Sequence, residues 1–205
     1  MSIESIYQSW EIDALTEICN IGAGHAATAL SQLLDHKIMI SVPKIDMVPL
    51  PDLPSAMGGA EVHITAVCMR ILGDAPGSML FILTDESSTA LAALLQGKAE
   101  STDPIAELDL AVIKQSAVVT ISSYLSALTQ FLRVPMISSE AAVANDMAGA
   151  LLNVVIAEMG AEVDYGLVMQ TDFFAEAVNI SAKICFLPDP KAQEVIMRIL
   201  RSGRG

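Results

Sequence analysis

Apolar and polar positions change their period twice in each half of the chain. From Asp13 onward, Leu15, Ile18, Ile21 and Leu30 recur at helical spacing, which predicts a long amphipathic helix with those residues turned to a core. Strand-forming residues then dominate Lys37 to Val42. Ala60 to Arg70 alternates apolar and polar, and Gly77 to Leu83 is a continuous apolar run. Gly73-Asp-Ala-Pro-Gly77 supplies a turn between the last two, and a helical stretch, SSTALAALL, follows. In the second half, strands are expected at Leu151 to Ala157, Val163 to Thr171 and Val178 to Phe186, with Asn145 and Asp146 forming a turn before them. Strands joined by short turns pair antiparallel, whereas parallel crossovers need helices between them. The expectation is an α+β fold, with long helices packed on antiparallel sheets.

The two halves resemble each other. Ala27-Thr-Ala-Leu-Ser-Gln-Leu-Leu34 aligns with Leu125-Ser-Ala-Leu-Thr-Gln-Phe-Leu132 at an offset of 98 residues, and Met79-Leu-Phe-Ile-Leu-Thr-Asp85 aligns with Lys183-Ile-Cys-Phe-Leu-Pro-Asp189 at 104. A pseudo-twofold repeat of helix, strands and helix is expected over residues 11–97 and 107–200 of a single domain, residues 1–205. The linker falls at Gly97-Lys-Ala-Glu-Ser-Thr-Asp-Pro104.

Composition narrows the chemistry. With 53% hydrophobic residues but only 4% aromatics, the core must be aliphatic, with the eleven Met as gap-fillers. A net charge of -13 argues against binding a nucleic-acid backbone, which needs a basic footprint. The cations Lys191, Arg198, Arg201 and Arg204 read as complements to the end of a last helix. Cys19, Cys68 and Cys185 lack metal-site spacing and read as reduced, buried small hydrophobes. His25, His36 and His63 show no metal-like pairing. Neither a GxSxG nor a P-loop occurs, and Gly22-Ala-Gly24 lacks the strand and third glycine of a dinucleotide fingerprint. No run of about 18 uncharged apolar residues appears and the N-terminus lacks a signal-peptide pattern, so a cytoplasmic location is expected.

One polar stripe stands out. Asp13, Glu17 and Asn20 fall at i, i+4 and i+7 and share one helix face. A carboxylate there can pair with a partner's lysine, and a carboxamide can both accept and donate a hydrogen bond. Gly22 and Gly24 each cost about 1 kcal/mol in a helix interior. Two readings stay open for them: close packing by another part of the chain, or a face kept low beside Asn20 for a docking protein.

EICNIGAGHAATALS together with SVPKIDMVPL resembles the CheC/CheX/FliY family of chemotaxis phosphatases. The family pattern runs Asp, Ser or Thr, three residues, Glu, two residues, Asn, twenty-two residues, Pro; here Asp13, Glu17, Asn20 and Pro43 occupy that register. The resemblance implies hydrolysis of the aspartyl phosphate on a CheY-type response regulator. It implies that Asn20 orients the attacking water and that Glu17 docks the regulator's lysine. Asp13 then takes a supporting role near the helix N-terminus, and Pro43 a structural one at the helix-to-strand connection. Such chemistry asks for positioning more than for an enzyme nucleophile. Mg2+ is expected on the acidic cluster of the regulator, with no cofactor held by this chain.

The second half departs from the motif. The same offset carries Asp13, Glu17 and Asn20 onto Ala111, Gln115 and Val118, and the glycines onto Thr120 and Ser122, so one working site is expected. The alternative to an enzyme is a non-catalytic scaffold or switch module that binds a receiver domain or a CheD-like partner. A homodimer formed through the glycine-bearing helix or exposed sheet edges is compatible with either.

Overall fold

A computed structural model of the protein describes residues 3–56, 58–98, 104–159 and 164–202. In chain order the elements are helix α1 (Ser9–Leu34), strands β1 (Met39–Ile40) and β2 (Lys44–Pro49), helix α2 (Leu53–Ala56), strands β3 (His63–Gly73) and β4 (Gly77–Thr84), and helix α3 (Asp85–Leu95). Helix α4 (Glu107–Leu132), strands β5 (Met136–Ser138) and β6 (Ala142–Met147), helix α5 (Ala148–Met159), strands β7 (Tyr165–Ala175) and β8 (Ile180–Pro188), and helix α6 (Pro190–Ser202) follow. Among the described residues, eight strands form one sheet in the order β1-β7-β8-β4-β3-β5, with β2 also on β7 and β6 also on β3. Each of these ladders is antiparallel. The mixed α+β architecture read from the sequence is the one observed.

Strand β3 shows why the sheet holds both layers together. Because successive strand side chains point to opposite faces, its residues divide between two cores. Val67, Met69 and Ile71, with Met79, Phe81 and Leu83 of β4, join Leu15, Ile18, Ile113 and Ile121 from the long helices. Ile64 and Ala66, with Leu80 and Ile82, join Leu53, Leu152 and Val155 beneath α2 and α5. A strand covered on both faces reads as a nearly continuous apolar run, which is what GSMLFILT is. Each fully buried Leu, Ile or Phe contributes about 1.5–3 kcal/mol relative to exposure.

The long helices stand at the offset seen in the sequence: α1 and α4 are both 26 residues long and pack along each other. Both close on a non-glycine residue in the left-handed region, Asp35 (φ 53°) and Arg133 (φ 54°). Among the described residues, α4 alone is long and apolar enough to cross a membrane, and 44% of that window is buried against the rest of the chain.

Three local expectations need correction and a fourth, for Arg201, needs extending. Leu151 to Ala157, expected as a strand, lies within α5, where Ala148, Leu152 and Val155 bury one helical face at i, i+4 and i+7. A short apolar run fits either period, and here the covering position over the second core selects the helix. Asn145 and Asp146 do not turn; they sit in β6 opposite Thr65 and Ile64 of β3. The Lys37 to Val42 strand shrinks to two residues, and the pairing with β7 shifts mainly to β2, which has polar positions facing outward. Arg201 is more than a helix-end cation: it donates to the buried carboxylate of Glu11 at 2.7 Å and ties α6 to the start of α1. Arg204, Val163 and the centre of the expected linker, residues 99–103, lie outside the described residues.

Candidate functional site

Helix α1 begins one turn earlier than the motif suggests. Gln8 is its cap, and the Gln8 backbone N–H donates to Glu11 Oε2 at 2.8 Å. Burial pushes the Glu11 carboxyl up, but the hydrogen bond from Arg201, the Gln8 N–H and the Arg201 charge together outweigh it and hold the group below the ordinary carboxylate range. Glu11 therefore performs the N-terminal role expected of Asp13. Asp13 lies in the second turn, exposed, and cannot cap the helix.

Beyond that start, the helix sorts its residues cleanly. Leu15, Ile18, Cys19, Gly22, Ala23 and Ala26 are buried, whereas Asp13, Glu17 and Asn20 are exposed along one stripe. Ile21, expected in the core, is half-buried at the margin. Glu17 and Asn20 are separated by about 4.5 Å of helix rise, close enough to touch one partner surface together. Among the described residues neither side chain forms a hydrogen bond or an ion pair, so both are free to meet a ligand. Their support comes from beneath. An ideal Cβ on Gly22 would stand 2.5 Å from the ring of Tyr124, which is 1% exposed.

Gly22 is thus occupied by the second helix. The reading that it clears the surface beside Asn20 is overturned for this residue, because its open side faces inward and is filled by an aromatic ring. Gly24 differs: apart from its chain neighbours and the adjoining backbone of its own helix, no atom lies within 4 Å of where its Cβ would be. The Tyr124 hydroxyl also hydrogen-bonds the Cys19 sulfur next to Asn20 in sequence, while burial pushes the Cys19 thiol up to about 12 and keeps it protonated. Tyr124 was not recognisable from the sequence, since nothing local to it signals a contact with a glycine in the other half.

Pro43 is buried. It stands between β1 and β2 instead of between helix and strand. Beside it, the Ser41 N–H donates to the Asp172 carbonyl at 2.9 Å and the Asp172 N–H to Ser41 Oγ at 3.1 Å. Pro43 lacks an N–H and carries a fixed φ, which suit it to a connection where no ladder bond is made. The matching face of α4 presents Ala111 and Gln115 exposed and Val118 half-buried. His63 Nδ1 lies 3.0 Å from Asp85 Oδ2 at the end of the sheet, and Asn145 donates to Asp85 Oδ1 at 2.8 Å. Among the described residues, no group of three or more His, Cys, Asp or Glu is placed to hold a metal ion.

The layered sheet and its long helices define a fold shared with flagellar and chemotaxis proteins of solved structure. A crystal structure of FliY from Thermotoga maritima superposes with a TM-score of 0.79 at 18% identity, covering 96% of this chain and 98% of that one. The FliM middle domain from Vibrio alginolyticus superposes with a TM-score of 0.64 at 12% identity, over 90% and 99%. In sequence, a profile described as the CheC-like family matches residues 11–46, the segment holding Asp13, Glu17, Asn20 and Pro43. It is also similar to the protein named CheY-P phosphatase CheC of Bacillus subtilis, 29% identical over 194 residues, which is 92% of this chain and 93% of that protein.

Proposed function

We propose that this protein hydrolyses the aspartyl phosphate of a CheY-type response regulator, with Asn20 orienting water and Glu17 holding the partner's lysine. The observation that carries the reading is the exposed, unpaired Glu17 and Asn20 on one face of α1, within the segment that matches the CheC-like family. Similarity over nearly the whole chain to a protein named as a CheY-P phosphatase supports it.

The reactive bond belongs to the partner, so the chain's task is placement. With Glu17 paired to the lysine, α1 lies across the partner's phosphorylated site and the Asn20 carboxamide holds a water in line with the scissile P–O bond. Attack forms a new P–O bond from water and expels the partner's aspartate as a free carboxylate, and the product is inorganic phosphate. Mg2+ held by the partner's acidic residues would neutralise charge on the transferred phosphoryl group. Asp13 adds a second acid to the stripe, on the side away from Gly24.

Decay of aspartyl phosphate on a purified receiver domain tests the reading. Wild-type protein should accelerate it, and Asn20→Ala should lose about a hundredfold of that acceleration while still binding. Glu17→Ala should show weaker binding that a higher receiver concentration overcomes. Unaltered acceleration by Asn20→Ala would end the proposal. A non-catalytic binding module is the second reading. It is favoured by α4, which keeps the helix and its packing without the acid and the amide. Binding of the receiver with no change in its decay rate would select it.

A further inference from the structure

The polar stripe of α1 does not stop at Asn20. Gly24 and Thr28 continue it at helical spacing, and there the stripe runs into an open groove of about 470 Å³ between α1 and α4. Its polar lining is His25, Thr28 and Gln32 from α1, and Ser122, Ser123 and Ser126 from α4. Ser122 and Ser126 stand at the α4 positions that match Gly24 and Thr28 of α1.

Two properties set the groove apart. Its lining contains no carboxylate, in a chain with 24 Asp and Glu against 11 Lys and Arg. It is also rich in free donors: among the described residues the side chains of His25, Gln32, Ser122 and Ser123 make no hydrogen bond within the chain, whereas Thr28 donates to the Gly24 carbonyl at 2.8 Å. An imidazole, an amide and hydroxyls offer donors to an acidic surface and never present a negative charge at neutral pH. The missing side chain at Gly24 leaves the passage from Asn20 to this groove open.

We infer that the groove is the second half of the docking surface and that it seats the acidic rim around the phosphorylated aspartate of the receiver domain, with α4 supplying one wall. The inference rests on the reading of Glu17 and Asn20 given above. A receiver's phosphorylation site is rich in acidic residues; Glu17 meets its lysine, and beyond Glu17 a protein of net charge -13 avoids repelling the acidic rim by lining the groove without carboxylates. The repeat that lost the chemistry thereby keeps a part in binding, through serines that accept close approach and donate hydrogen bonds.

The test places charge in the groove without touching Glu17 or Asn20. In Ser122→Asp/Ser126→Asp, both positions are exposed, so the fold should persist. A control, Ala150→Asp/Asn153→Asp, adds the same charge at exposed sites on α5, on the other side of the sheet. Binding is measured to a receiver domain loaded with beryllofluoride as a stable mimic of the aspartyl phosphate. The groove variant should bind about tenfold or more weakly than the control, the gap should narrow in high salt, and turnover at saturating receiver should stay near wild type. Equal binding by the groove variant and the control overturns the groove assignment and leaves the Glu17 and Asn20 reading standing. A wild-type protein that does not bind the loaded receiver overturns that reading itself.

Discussion

Helices α1 and α4 have the same length, pack on each other and close on a residue of the same left-handed conformation, yet where α1 carries Glu17 and Asn20 on its outer face α4 carries Gln115 and Val118. Their buried faces differ in volume at matching positions. Gly22 and Ala26 of α1 correspond to Thr120 and Tyr124 of α4, and all four are buried. The space that α1 leaves empty at Gly22 is the space that Tyr124 fills. Packing demands thus act on the inner faces together and leave the outer faces free to diverge. A matching helix can lack the acid and amide of the stripe without losing its place in the fold.

Moving the motif from one helix to the other is the strongest way to break this comparison. In an Asn20→Ala background, Gln115→Glu/Val118→Asn should restore none of the roughly hundredfold loss, because Val118 is half-buried where Asn20 is exposed. Recovered decay of aspartyl phosphate would show that the two outer faces are interchangeable after all.

The two glycines of α1 should respond in opposite directions. Gly22→Ala drives a methyl group into the Tyr124 ring and should destabilise the protein by about 1–3 kcal/mol in urea unfolding. Tyr124→Leu in the same chain should reduce that increment, a coupling that two independent sites would lack. Arg201→Ala should cost about 1–2 kcal/mol, less than a fully buried pair because the arginine is 59% exposed.

The sign of its pH dependence follows from Glu11, whose folded carboxyl lies below its unfolded value. The pair stabilises fully above the unfolded value, and that contribution disappears as pH falls through the folded one. Acid unfolding of wild type should therefore show a loss over that window that is absent or displaced upward in Arg201→Ala. The smallest effect is expected at Gly24→Ala, which meets open space and should stabilise by about 0.5–1 kcal/mol. Destabilisation there would mean that Gly24 is as enclosed as Gly22.

Several features were legible in the chain because they are local and periodic. The stripe of Asp13, Glu17 and Asn20 is read directly from helical spacing, and GSMLFILT declares a strand covered on both sides. The misreadings share a physical cause. Leu151 to Ala157 is apolar enough for either period, and its helical form depends on the core formed by Val48, Leu53, Ile64 and Leu80. Asn145 looks like a turn residue until Thr65 Oγ1 and Asp85 Oδ1 accept its amide at 2.9 and 2.8 Å and hold it in a strand. Glu11 gave no sign of its importance, since its partner Arg201 arrives from the far end of the chain.

What the sequence alone determined was the chemistry on offer: an acid and an amide at a spacing that places them on one face of α1, and their loss at the matching positions of α4. Side-chain period and residue type suffice for that, because both act within a few residues. The tertiary structure alone decided which glycine is filled and which is open, which acid caps the helix, and that serines of α4 stand beside the stripe of α1. Those outcomes depend on contacts between residues far apart in the chain, whose free energy arises only when the sheet brings the two long helices together.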